Sequence, residues 1–165
     1  MPSELVVTYR ELVRLHMRLS DEAAAYQNEI RALVVVLFPE FTQIFTDPCG
    51  QTALTVLKAF PSAQAVAEVG VEPLFQLLRT LKPAHYGRPT AQKRVALAKA
   101  SVSSGRALAG RSLSLRILCD QLEHTQANLA RLEAEIEELL TNDPGVKGLQ
   151  QVPGCGLQDG GSTPR

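Results

Sequence analysis

Leu115-Arg116-Ile117-Leu118-Cys119-Asp120-Gln121-Leu122-Glu123-His124-Thr125-Gln126-Ala127-Asn128-Leu129-Ala130-Arg131-Leu132-Glu133-Ala134-Glu135-Ile136-Glu137-Glu138-Leu139 contains neither Gly nor Pro, and its leucines, with Thr125 and Ile136, recur in alternating steps of three and four. Leu115, Leu118, Leu122, Leu129, Leu132, Ile136 and Leu139 therefore fall on one side of a helix and form a coiled-coil seam. Leu108 extends the stripe backwards, and Arg111 and Thr125 take its two polar slots. Asn142-Asp143-Pro144-Gly145 supplies the stop, so a coiled-coil helix is predicted over 106–142.

The N-terminal part of the chain carries the same rhythm. Leu5, Tyr9, Leu12, Leu19, Ala23, Tyr26, Ile30, Leu33 and Leu37 form a second stripe, with His16 as its one out-of-pattern position. No Gly or Pro interrupts it between Ser3 and Phe38, and Pro39 ends it because a proline ring cannot continue a helix. At 1.5 Å per residue, helices over 3–38 and 106–142 would each be roughly 50 Å long, and equal lengths predict antiparallel pairing.

Between them, residues 39–104 are broken by Pro39, Asp47-Pro48, Gly50, Pro61, Gly70, Pro73, Pro83 and Gly87. Short helices are predicted at Gln51 to Phe60, Ser62 to Val69, Pro73 to Leu81 and Thr90 to Ser104. Ser62 is a natural N-cap and Gly70 a left-handed stop. Pieces this short are unstable alone and must pack on one another. The fold class is all-α: two long antiparallel coiled-coil helices bracketing a small bundle of short helices, with 143–165 read as a truncated hairpin start and a disordered tail.

Composition agrees. Apolar residues make up 45% of the 165, but Trp is absent and aromatics are only 5%, so a core must be built from Leu, Val and Ala. Cys49, Cys119 and Cys155 are odd in number and far apart, which fits a reduced, cytoplasmic setting. The start Met1-Pro2-Ser3-Glu4 has no basic stretch leading into an apolar one, and the run Ala32 to Phe38 is far shorter than the ~20 residues of a membrane span. Neither export nor a membrane partner is expected.

The net charge of zero conceals a segregation. From Gln76 to Cys119 there is no Asp or Glu, while Arg79, Lys82, Arg88, Lys93, Arg94, Lys99, Arg106, Arg111 and Arg116 all lie there. Ser101, Ser103, Ser104, Ser112 and Ser114 add hydroxyl donors, and Gly105 and Gly110 permit close backbone approach. Such a set suits a phosphate backbone, and these nine cations are the candidate nucleic-acid-binding residues. The alternative is a solvated face whose cations pair with the acids on either side, such as Glu29 and Asp47, or Asp120 and Glu123.

Catalytic signatures are missing. There is no phosphate-binding glycine loop, no nucleophile elbow and no HExxH helix, and His16, His85 and His124 stand apart. The acids of Glu133 to Glu138 fall on outward faces around Ile136, as a solvated helix face requires. No catalytic residue, no metal ligand and no cofactor is assigned. Leu149-Gln150-Gln151-Val152-Pro153-Gly154-Cys155-Gly156 reads as the first half of a helix-hairpin-helix, whose glycine turn aims N–H groups at a phosphate. The breakers between Leu157 and Arg165 leave it without a second helix, and a plain glycine turn is the other reading.

Taken in order, Leu37-Phe38-Pro39-Glu40-Phe41, Thr52-Ala53-Leu54, Phe60-Pro61-Ser62, Gly87-Arg88, the Leu/Glu-rich second helix and Val152-Pro153-Gly154-Cys155-Gly156 resemble the insertion-sequence family of DEDD transposases, relatives of the Piv-type DNA invertases. Similarity runs from about Arg10 to Gly156. The resemblance implies a RuvC-like domain with four metal-binding carboxylates before such a region, and after it a domain that opens with the hairpin and supplies a catalytic serine. The family's divalent metal belongs to the carboxylate domain, and some members are guided by a structured RNA. This chain resembles the middle, so the expectation is a truncated fragment without either set of catalytic residues. The expected function is that of a transposase fragment in DNA transposition and recombination, retaining DNA or guide-RNA binding and helical assembly with itself or an intact transposase. The alternative is a coiled-coil oligomerisation module that binds no nucleic acid.

Overall fold

A computed structural model describes residues 3–81, 87–100 and 107–142. Among these residues the chain is all-helical: α1 (Glu4–Leu37), α2 (Phe41–Ile44), α3 (Gln51–Ala59), α4 (Ala63–Val69), α5 (Val71–Leu81), α6 (Arg88–Ala100) and α7 (Leu108–Asn142). The two long helices bracket five short ones along the chain, as the heptad stripes predict. The half-hairpin at 149–156 and the tail expected over 143–165 lie outside the described residues, as do Lys82 and Arg106.

Local signals set the helix ends. Ser3 caps α1, its Oγ accepting from the Val6 amide at 3.2 Å, and Pro39 follows the last turn just after the Phe38 amide has donated to the Val34 carbonyl. Ser62 caps α4 as expected, its hydroxyl accepting from the Ala65 amide at 3.1 Å. Gly70 ends that helix at φ 81°, a backbone region glycine enters without a Cβ penalty. Two helices begin earlier than their proline-marked expectations. Pro73 and Pro89 sit inside the first turns of α5 and α6, where the missing N–H has no helical partner to lose.

The chain folds as two compact units, one of Met1–Ala24 with Glu123–Arg165 and one of Ala25–Leu122, so α1 and α7 run through both. In the first unit Tyr9, Ile136 and Leu140 are buried together, with Leu12, Val13 and Leu139 packed against them. His16 Nε2 lies 3.4 Å from Glu133 Oε1. As α1 advances from Tyr9 to His16 its partners retreat from Leu140 to Glu133, which makes the pair antiparallel.

The second unit contains the short helices and one run of each long helix. Its buried residues include Ile30, Val34 and Leu37 of α1, Leu54 and Leu57 of α3, Leu74 and Leu78 of α5, and Leu115, Cys119 and Leu122 of α7. Phe38, Phe41 and Phe45 stack in series, with centroids 5.5 Å and 4.9 Å apart. Between α2 and α3, Asp47 accepts from the Cys49 amide at 3.0 Å and lies 3.6 Å from an Arg31 guanidinium nitrogen. Burial pushes the Cys49 thiol up from its ordinary pKa, with the nearby Arg31 pulling it down and Asp47 adding to the rise.

Val34, Cys119 and Leu140 are buried, one residue beyond the expected Leu33, Leu118 and Leu139, which are half-buried. Ile30 and Leu37, Leu115 and Leu122, and Ile136 remain buried beside them, so burial leaves the stripes at single positions and returns to them.

Two substitutions check this packing by thermal or denaturant unfolding. Ile136→Ala removes a side chain that is only 1% exposed and is expected to cost about 2–5 kcal/mol, whereas Val7→Ala on the open face stays within ~0.5 kcal/mol. Ala107 precedes α7 at φ 54°, so Ala107→Gly is expected to raise stability by on the order of 1 kcal/mol. A loss of stability there would contradict the assigned backbone.

Candidate nucleic-acid interface

Seven of the nine candidate cations fall among the described residues, all in the second unit: Arg79 on α5, Arg88, Lys93, Arg94 and Lys99 on α6, and Arg111 and Arg116 on α7. The helix that carries most of them, α6, buries only Ala91, Val95 and Ala98. This narrow, small-residue face lets it pack on α4 and α5, and it leaves the rest of its circumference to cations and short side chains. Its first turn can hold Pro89 without loss, so the helix starts next to Gly87.

The cations do different things. Arg88 forms an ion pair with Glu72 and lies over the Phe75 ring, 4.6 Å from its centroid. Arg94 lies over the Phe45 ring at 4.5 Å, which ties α6 to the aromatic series after α1. Arg116 turns its guanidinium onto the end of α3, its Nε donating to the Lys58 carbonyl at 3.0 Å and an Nη2 to the Ala59 carbonyl at 3.5 Å. Those carbonyls have no helical donor of their own, and a cation suits the negative end of the helix dipole. Beside it Lys58 reaches Asp120 at 3.0 Å, a second link between α3 and α7. Arg111 is half-buried in the first turn of α7.

Arg79, Lys93 and Lys99 are exposed, and among the described residues no carboxylate pairs with them. They are not on one face. At 100° per residue Lys93 and Lys99 are about 120° apart round α6, while Arg88 and Lys99 are within about 20°. Lys93 and Arg94 line a groove of about 360 Å³ between α6 and α2, with Thr90, Leu97, Gln43 and Ile44 completing its walls. It offers an ammonium, a hydroxyl and a side-chain amide beside the stacked guanidinium, a set of donors suited to an anionic oxygen. The α2 side of this groove escapes sequence reasoning, because four residues are too few to show a helical period. The Phe41 and Phe45 pair, four apart, is the one trace of it.

Among the described residues no group of three or more His, Cys, Asp or Glu side chains is placed to hold a metal ion, and no helix is long and apolar enough to cross a membrane. No protein-family model, curated protein or solved structure matches the chain.

The division of labour among the cations can be measured. Arg116→Met is expected to lower stability by ~1 kcal/mol through the lost contact to the α3 carbonyls, and Lys93→Met to leave it within ~0.5 kcal/mol. Equal effects on the melting temperature would refute the distinction.

Proposed function

We propose that this chain is a helical nucleic-acid-binding module of the transposase type, acting in DNA transposition or recombination by holding DNA or a structured RNA rather than by cutting it. Its second unit contacts the phosphate backbone. What carries the reading is the acid-free stretch from Gln76 to Cys119, in which Arg79, Lys93 and Lys99 stand exposed on two neighbouring helices with no ion pair to relieve them among the described residues.

A surface whose cations are paired gains little by meeting phosphates, since it exchanges one partner for another. Unpaired cations release condensed counterions from the nucleic acid when they bind, and that release drives association. Their spread round α6 favours a backbone that passes across the helix over one that runs along it. Arg88 is engaged by Glu72 and the Phe75 ring and Arg94 by the Phe45 ring, so the phosphate contacts are assigned to Arg79, Lys93 and Lys99 alone. Contacts of this kind position a duplex without reading its sequence.

Fluorescence anisotropy on a labelled DNA duplex and a hairpin RNA, over a series of salt concentrations, tests the proposal. Three phosphate contacts predict a slope of log affinity against log salt of roughly −3 on duplex DNA. Replacing Arg79, Lys93 or Lys99 by Gln should each reduce that slope by about one, with little dependence on sequence. If no binding to either probe is detected at low salt, the module does not act on nucleic acid.

A further inference from the structure

The groove between α2 and α6 offers more than a place for an oxygen. Along α6, Pro89, Lys93 and Leu97 follow one another in steps of four, with Thr90 and Arg94 beside them. All five therefore fall within about 140° of the helix circumference. Gln43 and Ile44, the last two residues of α2, supply the other wall. Lys93 thus stands between two apolar neighbours, the exposed Pro89 and the half-buried Leu97, with the half-buried Ile44 across from it. The groove is also firm before anything enters it. Arg94 lies over the Phe45 ring, and Phe45 ends the stack that begins at Phe38, so α6 and the residues after α1 are tied together beside the opening.

A bare anion would use the Lys93 ammonium and leave Pro89, Leu97 and Ile44 in water. A paired duplex would do the same, because its base faces are stacked on one another and its outer surface is phosphate and sugar. What uses both parts of the groove is a flat, largely apolar ring joined to a phosphate. A nucleotide whose base is unpaired is such a group. Its ring face buries the apolar wall, its edge meets the donors and acceptor of the Gln43 amide, and its phosphate accepts from Lys93, with the Thr90 hydroxyl within the same groove. The size agrees, since about 360 Å³ lies at the low end of the ~300–1,000 Å³ typical of small-molecule pockets.

We propose that this groove receives one unpaired nucleotide, from a bulge, a loop or a strand end of the nucleic acid that the second unit holds. The inference rests on the nucleic-acid reading above and adds a preference to it. Arg79 and Lys99, which do not line the groove, take phosphates of the paired region, and Lys93 takes the phosphate next to the base that has left the stack. Because the apolar wall meets a ring face rather than a hydrogen-bonding edge, the preference is for an unpaired base over a paired one more than for one base over another.

Fluorescence anisotropy with the full chain compares three probes of one sequence, each made as DNA and as RNA. They are a perfect duplex, the same duplex with a single unpaired pyrimidine nucleotide, and the same bulge with an abasic residue in place of that nucleotide. In at least one of the two sugars, the bulged probe is expected to bind roughly fivefold or more tightly than both others at equal salt. Gln43→Ala and Ile44→Ala should each lower that ratio towards one while helicity by circular dichroism is retained. Lys99→Gln should weaken all three probes alike and so preserve the ratio. Equal affinity for the bulged and abasic probes in both sugars would overturn the proposal and leave the duplex reading standing. A preference for the bulged probe that survives Gln43→Ala and Ile44→Ala together would overturn it too, by placing the base elsewhere. If no probe binds at low salt, the nucleic-acid reading itself fails and this inference falls with it.

Discussion

A helix that is apolar along one side cannot stand in water by itself, and this chain has two such helices, 34 and 35 residues long. Helical hydrogen bonds are local and would form on any face, so they do not say where the helices go. Burial of the stripe does, because each fully buried Ile or Leu contributes about 1.5–3 kcal/mol relative to its exposed state. Tyr9, Ile136 and Leu140 meet for that reason in the first unit. In the second, Ile30, Val34, Leu37, Leu115, Cys119 and Leu122 join a core that the short helices complete. Those short helices, of four to thirteen residues, depend on that core, since pieces of this length are marginal in isolation.

Polar residues on the stripes have a different role. His16 faces Glu133, and Thr125 is buried at 5% exposure. Such positions stabilise less than leucine would, but they make wrong registers worse: a slip of one turn would set an imidazole or a hydroxyl against an aliphatic surface. Register therefore comes from a few polar contacts and affinity from the aliphatic ones.

The cations divide along similar lines. An arginine can serve packing as well as charge, since its flat guanidinium lies on a ring or forks onto carbonyls. Arg88 and Arg94 rest on Phe75 and Phe45, and Arg116 closes the end of α3. Lysine has no such second use, and both described lysines of the acid-free stretch, Lys93 and Lys99, project into solvent. A charged segment that looks uniform in sequence is thus a mixture of braces and free ends.

The heptad rhythm, the proline after Phe38 and the serine and glycine round α4 determined the class of fold, the two long helices and most helix ends, because each acts within a few residues of itself. The charge segregation was equally legible, being a matter of counting. Tertiary structure alone decided which cations are committed, since Phe45 and Arg94, or Lys58 and Arg116, are some fifty residues apart and nothing local couples them. It also decided that Val34, Cys119 and Leu140 are buried while the neighbouring Leu33, Leu118 and Leu139 are half-buried. Periodicity fixes that a stripe must be buried; the volumes of the side chains that flank it decide how well, and volumes are compared only when the partners meet.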